Sequence, residues 1–210
     1  MNPVRKKWKP VLPPFRNYKA KQFRKVAKTS QFMYQIGDYD ALRRPSKEVP
    51  VKEIRSKEFG RKIKYLKDTM RKYRRETGLG RGITAVQIGI PERFSVVYTP
   101  KKLLIIINPK ITKRSKEKYI YPEICMSADP IIAPTVRPAW IEFEYYDESG
   151  NKKYWETKDK TKLGRMLNRV FQHEFDHMEG MINIDKLSGK DLIFEVDPKF
   201  YDNAKFEKVK

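Results

Sequence analysis

The sequence predicts an α+β fold, with short antiparallel strands packed around a central helix, an N-terminal helix and a basic N-terminal extension. Three observations lead to this prediction: an early segment with helical periodicity, several short strand-like runs, and a late helical segment that contains both histidines. Helix, strands and helix in this order are typical of α+β domains. The 210 residues, of which 39% are hydrophobic, suffice for one domain with a real core.

The first 37 residues form a strongly basic segment that contains ten lysines and arginines, four prolines and no acidic residue. A segment of this composition buries too little apolar surface to fold alone. We therefore interpret residues 1–34 as a basic, flexible extension, residues 35–190 as the folded domain and residues 191–210 as a C-terminal tail. A solvated tail, an RNA-binding arm and a cleaved presequence are the alternatives for the extension.

The first predicted helix begins after Ser56, which can cap it, and ends at Gly78, which can adopt the left-handed conformation of a helix end. Its apolar residues are separated by four, three, four and three positions, which is the spacing of one helix face. These residues are Phe59, Ile63, Leu66, Met70 and Tyr73.

Short strands are predicted by five runs of β-branched and aromatic residues: 94–98, 103–107, 119–121, 140–146 and 153–157. Residues 147–151, Asp-Glu-Ser-Gly-Asn, predict a hairpin turn between the last two strands. In the fourth run Glu142 and Glu144 alternate with apolar residues, so we expect one face of that strand to contact water.

The second predicted helix extends from about Thr161 to Met178 and ends at Gly180. His173 and His177, the only histidines of the chain, are four positions apart and therefore lie one above the other on one helix face. Two imidazoles at this spacing can share one tetrahedral metal ion. The alternative is a pair of core histidines with ordinary hydrogen bonds.

Two features of this helix favour a metal site. Met166 and Val170 continue the stripe of His173 and His177, so the stripe is expected to point inward. Glu174, next to the first histidine, can act as a general base toward water at the metal. This segment would then be the metal-binding helix at the centre of the predicted fold.

A catalytic site of this kind needs a third protein ligand. No histidine follows His177, and the nearest acidic residues, Asp185, Asp191 and Glu195, belong to no second motif. Cys125 is the only cysteine and stands between a glutamate and a serine. A lone buried cysteine is often only a small apolar residue, but here it is the better ligand candidate.

A glycine-rich segment at residues 80–87, Gly-Arg-Gly-Ile-Thr-Ala-Val-Gln, lacks the third glycine and the Lys-Ser/Thr of nucleotide-binding loops, which argues against phosphate binding. Together with residues 123–127 and 172–177, it resembles the three motifs of the peptide deformylase family: G-φ-G-φ-A-A-x-Q, E-G-C-φ-S and Q-H-E-x-D-H. The resemblance covers roughly residues 35–187. It implies that residues 35–190 form a deformylase-like catalytic domain.

The resemblance implies a metal-dependent hydrolase that removes the N-formyl group from the formyl-methionine of newly made polypeptides. One divalent ion would bind, Fe²⁺ by family likeness, although Zn²⁺, Ni²⁺ or Co²⁺ could occupy the site. Its ligands would be Cys125, His173 and His177. Glu174 would be the general base, and the amide of Gln87 and the backbone N–H of Met126 would stabilise the oxyanion.

The expected substrate site departs from the family pattern at five positions: Arg81, Thr84, Ile124, Ile132 and Arg169. Gly82 would allow a peptide to approach and pair like an added strand, with Arg81, Ile124 and Arg169 beside it. A β-branched residue such as Ile124 would resist a positive φ, which the family's glycine tolerates. These departures are expected to affect side-chain preference and turnover more than the reaction itself.

The charge of the chain points to a polyanionic neighbour. The formal net charge is +21, and outside the first 37 residues the other 37 basic residues face all 26 acidic ones, which leaves +11. We expect contact with the ribosome and its RNA through the basic surface and the N-terminal arm. A protein of deformylase fold that binds ribosomes or RNA with little activity is one alternative function, and an H-E-x-x-H metallopeptidase is another.

The location is predicted from what the sequence lacks. The longest apolar run, residues 103–107, is far shorter than the roughly 18 residues needed to span a bilayer, so no membrane partner is expected. The N-terminus has no apolar stretch of the secretory type. A Lys-rich, Pro-interrupted arm favours the bacterial cytoplasm over a mitochondrion or another organelle.

Overall fold

The computed structural model describes residues 33–129, 131–156, 160–187, 193–194 and 204–209. The predicted basic extension, residues 1–34, lies outside these ranges apart from its last two residues, as does much of the predicted C-terminal tail. Within the described ranges, no helix combines the length and the apolar character needed to cross a membrane.

The elements of the described residues follow one another in a mixed order of helices and antiparallel strands. The helices are α1 (Tyr39–Arg43), α2 (Lys57–Thr77) and α3 (Lys162–Met178). The strands are β1 (Gly82–Thr84), β2 (Phe94–Tyr98), β3 (Leu103–Arg114), β4 (Lys118–Ile124), β5 (Ile131–Pro138), β6 (Ile141–Tyr146), β7 (Lys152–Trp155), β8 (Ile193–Phe194) and β9 (Glu207–Lys208). Short 3-10 turns occur at Val51–Glu53, Ala85–Ile88 and Asn183–Lys186.

Both long helices begin and end where the sequence predicts. The Ser56 hydroxyl accepts a hydrogen bond of 3.0 Å from the N–H of Phe59 at the start of α2. Gly78 ends α2 with a φ of 75°, a left-handed conformation that a residue without Cβ adopts easily. The Thr161 hydroxyl caps α3 by accepting from the N–H of Gly164 at 3.1 Å.

The first sheet, in the order β1-β2-β3-β6-β7, lies between the two long helices. Successive residues of β2 face opposite sides: Val96 belongs to the core that contains Met70 of α2, and Val97 to the core that contains Phe171 of α3. Both faces of this sheet are therefore covered. Strand β1 lies at its edge, next to β2 alone among the described strands.

The second sheet, in the order β8-β5-β4-β9, includes three strands that the sequence analysis did not predict, β5, β8 and β9. Of these, β5 contains Pro134, which lies opposite Pro122 of β4. Proline cannot donate to a neighbouring strand, so its presence argues against a central strand. The pairing is tolerated because, in the described part of the chain, β9 and β8 pair with residues 119–120 and 131–132, away from both prolines.

Two further predictions need correction. Strand β3 continues from the predicted residues 103–107 to Arg114, where it pairs with β6. Glu142 of β6 is buried rather than in contact with water. Its carboxylate accepts a hydrogen bond of 2.7 Å from the Tyr154 hydroxyl and pairs with Lys113 at 3.1 Å, which offsets the loss of hydration.

Both ends of the described chain pack against the domain. Two short strands of the predicted tail, β8 and β9, pair with β5 and β4. Near the other end, the N–H groups of Tyr34 and Ile36 donate to the carbonyls of Gln87 and Ser127, at 2.7 and 2.8 Å. The chain therefore enters the domain beside two of the predicted motifs.

Candidate metal centre

One cluster of potential metal ligands is found in the described residues. The ligand atoms of Cys125, His173 and His177 all lie within 4.8 Å of one another. Cys125 and His177 are fully buried, and the Sγ of Cys125 is 3.2 Å from Nε2 of His177. The fold thus brings together the three side chains that the sequence analysis selected, from two segments about 50 residues apart.

The elements explain how these side chains meet. His173 and His177 lie one turn apart on α3, with their ring centroids 5.0 Å apart. Cys125 immediately follows β4, whose partner β5 packs against the same helix. Glu123, two residues before the cysteine, accepts from Nδ1 of His173 at 3.2 Å and so links β4 to α3.

Glu123 is held by two buried arginines. Arg137 donates to both of its carboxylate oxygens, at 2.6 and 2.9 Å, and Arg169 donates to Oε1 at 2.5 Å. Burial alone would raise the pKa of Glu123, but the two guanidinium groups hold this pKa well below its usual range. Arg137 also pairs with Asp176 of α3 at 2.5 Å. The Arg137 guanidinium thus links β4, which precedes Cys125, to α3, which carries both histidines.

The donor set fits one divalent ion. Because Nδ1 of His173 faces Glu123, its Nε2 is left for a metal. Burial holds the pKa of His177 well below its usual range and keeps that ring in the neutral form that binds metals. Tetrahedral bonds of about 2.0–2.3 Å would place ligand atoms roughly 3.3–3.8 Å apart, which the cluster can satisfy.

Glu174 lies beside the cluster and is buried. Burial raises the pKa of its carboxyl group to about 7. Its Oε2 accepts a hydrogen bond of 2.7 Å from the hydroxyl of Thr84. On the other side, Gly82 approaches the carboxylate so closely that no side chain fits between them.

Gln87 and Met126 lie at the same end of the cluster. The Oε1 of Gln87 accepts from the N–H of Thr84 at 2.9 Å, and its Nε2 donates to the Ser127 hydroxyl at 3.0 Å. The same Nε2 lies 4.0 Å from the Sγ of Cys125. The N–H of Met126 donates to no main-chain carbonyl within the described ranges, so it is available to another acceptor.

A cavity of about 760 Å³ opens onto this cluster. All four predicted substrate residues line it, together with His173, Glu174 and Gln87. Those four are Arg81, Gly82, Ile124 and Arg169. The edge of β1 that pairs with no other described strand lies beside the cavity, where an extended peptide could pair with it.

Two of the departures from the family pattern acquire a structural explanation. Ile124 ends β4 in register with Ile132, and the one described non-glycine residue with a positive φ is Asn108, so Ile124 carries no backbone strain. The Arg169 guanidinium is held by the carboxylate of Glu123 and by the carbonyls of Tyr119 and Thr135, the latter two at 2.7 and 3.1 Å.

Sequence reasoning missed the contacts of Thr84 and Arg137. Thr84 stood out only as a departure from the expected alanine, which gave no sign of its contact with Glu174. Arg137 lies in the unpredicted strand β5, so its inward direction could not be assigned. Asn183, whose amide donates to the carbonyl of Glu123 at 2.9 Å, carried no signal in the sequence.

A buried Cys/His₂ cluster beside a buried carboxylate, at the base of an open cavity, defines a candidate mononuclear metal site of the hydrolytic type. The family model for polypeptide deformylase matches residues 33–192. The chain belongs to the peptide deformylase family.

Individual relatives agree with this assignment. A peptide deformylase of Rhizobium meliloti is 36% identical over 114 residues, 52% of this chain, but the match covers only 62% of that protein's own length. One from Prochlorococcus marinus is 30% identical over 79% of this chain and 78% of its own. The crystal structure of peptide deformylase from Thermotoga maritima, 29% identical, superposes with a TM-score of 0.65 over 75% of this chain and 97% of its own.

Proposed function

We propose that this protein is a peptide deformylase, which hydrolyses the N-formyl group of formyl-methionine at the start of newly made polypeptides. The observation that carries the proposal is the buried set of Cys125, His173 and His177 with Glu174 beside it, in a chain of this family. The products would be formate and a polypeptide with a free N-terminal amine.

The ion would be held by Cys125, His173 and His177. When bound, it would supply Lewis-acid chemistry that polarises the formyl carbonyl and increases the acidity of water. We propose Fe²⁺ by family likeness, while the same donors also suit Zn²⁺, Ni²⁺ or Co²⁺. Glu123 would support the site by accepting from Nδ1 of His173.

Glu174 would take a proton from the attacking water and deliver it to the leaving amine. Its buried carboxyl, with a pKa of about 7, suits a group that both accepts and donates a proton near neutral pH. The approach of Gly82 and the hydrogen bond from Thr84 would keep the carboxylate in one place.

The oxyanion that forms on the formyl carbon would be stabilised by two donors. The Oε1 of Gln87 accepts a hydrogen bond from the N–H of Thr84. This bond fixes the side-chain amide and directs its Nε2 toward the cluster. The N–H of Met126 would be the second donor. Fixed donors of this kind lose little free energy to reorganisation when the charge develops.

The substrate would enter as an extended strand beside β1. Gly82 leaves room for its backbone, and Arg81, Ile124 and Arg169 would form the walls beside its side chains. Because the guanidinium of Arg169 is engaged with Glu123, its aliphatic stem would face the substrate.

The test is formate release from formyl-Met-Ala-Ser by anaerobically prepared, Fe²⁺-loaded protein. Glu174→Gln should retain the metal but release formate at least about a thousandfold more slowly, because the general base is lost. Glu76→Gln, at a partly exposed position near the end of α2 and outside the cavity lining, is the matched control and should behave as wild type. Undiminished release by Glu174→Gln would contradict the assignment.

Two other functions make distinct predictions. A deformylase-like protein with little activity would hold a full complement of metal yet release no formate from any formyl peptide. A metallopeptidase would cleave an unformylated peptide bond.

We also propose that the protein works at the ribosome, in the bacterial cytoplasm or in an organelle. The net charge of +21, with ten basic and no acidic residues in the first 37, supports contact with ribosomal RNA through the arm. Removing residues 1–30 should weaken salt-sensitive ribosome binding and leave small-peptide turnover near normal. Equal binding with and without the arm would refute this role.

A further inference from the structure

We propose that Thr84 is a positioning residue for the reaction: its hydroxyl fixes the orientation of the Glu174 carboxylate, and its backbone fixes Gln87. The role of Glu174 and Gln87 in deformylation is itself the proposed function, and this inference rests on it. The contribution of the Thr84 hydroxyl is a property of this chain, since the family pattern has an alanine at the corresponding position.

The geometry of β1 places Thr84 where it can act in this way. Residues two apart in a strand point to the same face, so Gly82 and Thr84 both face Glu174. Gly82 provides the space that the carboxylate occupies, and the Thr84 hydroxyl donates to Oε2 at 2.7 Å. Strand and helix thus hold the carboxylate from two sides.

The hydroxyl of Thr84 lies against both the side chain and the main chain of Glu174. It has a single hydrogen and two acceptors within reach, Oε2 of Glu174 at 2.7 Å and the main-chain carbonyl of Glu174 at 3.0 Å. Both acceptors belong to Glu174, so this hydroxyl holds the base against β1.

The main chain of Thr84 contacts the second functional group. Its N–H donates to Oε1 of Gln87 at 2.9 Å, which leaves Nε2 of Gln87 free to donate to Ser127 and to face the sulfur of Cys125. Thr84 is fully buried, so neither contact competes with bulk water. One residue therefore sets the separation between the proposed base and the proposed oxyanion donor.

Three variants separate the hydroxyl from the packing. Thr84→Val keeps the shape of the side chain but removes the donor, and Thr84→Ser keeps the donor but removes the methyl group. Thr69→Val, at a buried position of α2 away from the cavity, is the matched control for the same exchange. Each is prepared with Fe²⁺, checked for metal content and unfolding temperature, and assayed with formyl-Met-Ala-Ser.

We expect Thr84→Val to lower kcat by about ten- to a hundredfold with little change in KM, since a small misplacement of a catalytic group has effects of this size. Thr84→Ser should recover most of the loss, and Thr69→Val should match wild type. Equal kcat for Thr84→Val and wild type, or equal loss in Thr84→Val and Thr84→Ser, would overturn the proposal.

A second readout does not depend on activity. Crystal structures of the metal-loaded variants should show the Glu174 carboxylate in one orientation in wild type and Thr84→Ser, and rotated or in two conformers in Thr84→Val. An unchanged carboxylate in Thr84→Val would also overturn the proposal. If wild type itself released no formate, the proposed function would fail, while the position of the carboxylate would still decide the role of Thr84.

Discussion

Gly82 of β1 lies directly against the carboxylate of Glu174, so that an ideal Cβ at Gly82 would lie 2.7 Å from the carboxyl carbon of Glu174. We predict that Gly82→Ala displaces this carboxylate and lowers the rate of formate release by about a hundredfold or more. The metal content should stay unchanged, because no proposed ligand moves.

Gly60 offers a matched control for this exchange. It lies on the exposed surface of α2, and a Cβ there would meet no atom within 4 Å. Gly60→Ala should therefore keep full activity and raise the free energy of unfolding by about 1 kcal/mol, because alanine favours the helix. Full activity in Gly82→Ala would show that the close approach has no functional role.

Cys125→Ser should weaken metal binding by at least about a hundredfold, because a hydroxyl replaces a thiolate in the ligand set. The activity should fall in proportion to the metal that is lost. Metal analysis after dialysis, combined with formate release at saturating metal, checks both effects. Normal kinetics and full metal retention would remove the cysteine from the site.

Asp129 makes stability depend on pH. It accepts from the Tyr73 hydroxyl, its Oδ1 has no hydrogen-bond partner among the described residues, and burial raises its pKa from 3.8 to about 7. The folded state therefore holds a proton that the unfolded chain releases between about pH 4 and 7. Its contribution to stability is complete below pH 4 and is lost as the pH rises through 7.

Asp129→Asn removes this titration. At pH 8 the free energy of unfolding of this variant should exceed that of wild type by up to about 4 kcal/mol, which corresponds to the shift of about three pKa units at Asp129. The difference between variant and wild type should disappear toward pH 4. Asp147→Asn is the contrasting control. Burial alone would raise the pKa of Asp147, but N–H donors in its turn bind the carboxylate and lower this pKa overall. Asp147→Asn should therefore be less stable than wild type at pH 8. Urea unfolding at both pH values measures the differences.

The two arginines on Glu123 should differ in their contribution to stability. Arg137 joins Glu123 to Asp176, so Arg137→Met breaks a buried network and should lower the free energy of unfolding by about 3–5 kcal/mol. Arg169→Met should lower it by roughly 1–3 kcal/mol, because Glu123 keeps its two hydrogen bonds from Arg137. A larger loss for Arg169→Met in urea unfolding would contradict this ranking.

Local patterns were enough to predict the two long helices and the pair of histidines that one of them carries. The α2 stripe and the i, i+4 pair of His173 and His177 depend on spacing within one helix, which the sequence displays directly. Strand β5 was missed because its prolines oppose a strand assignment, and its register depends on β4. Thr84 and Glu174 are 90 residues apart, and no local rule brings such residues together.

In the proposed binding mode, the edge of β1 would limit how much of a polypeptide the site can read. This strand is only three residues long, and Arg81 precedes it with a positive charge that discourages pairing with long apolar strands of other chains. Hydrogen bonding along so short an edge involves only the first few residues of a partner and is largely indifferent to their side chains. Such an enzyme would process many different proteins at the same end, whatever sequence follows.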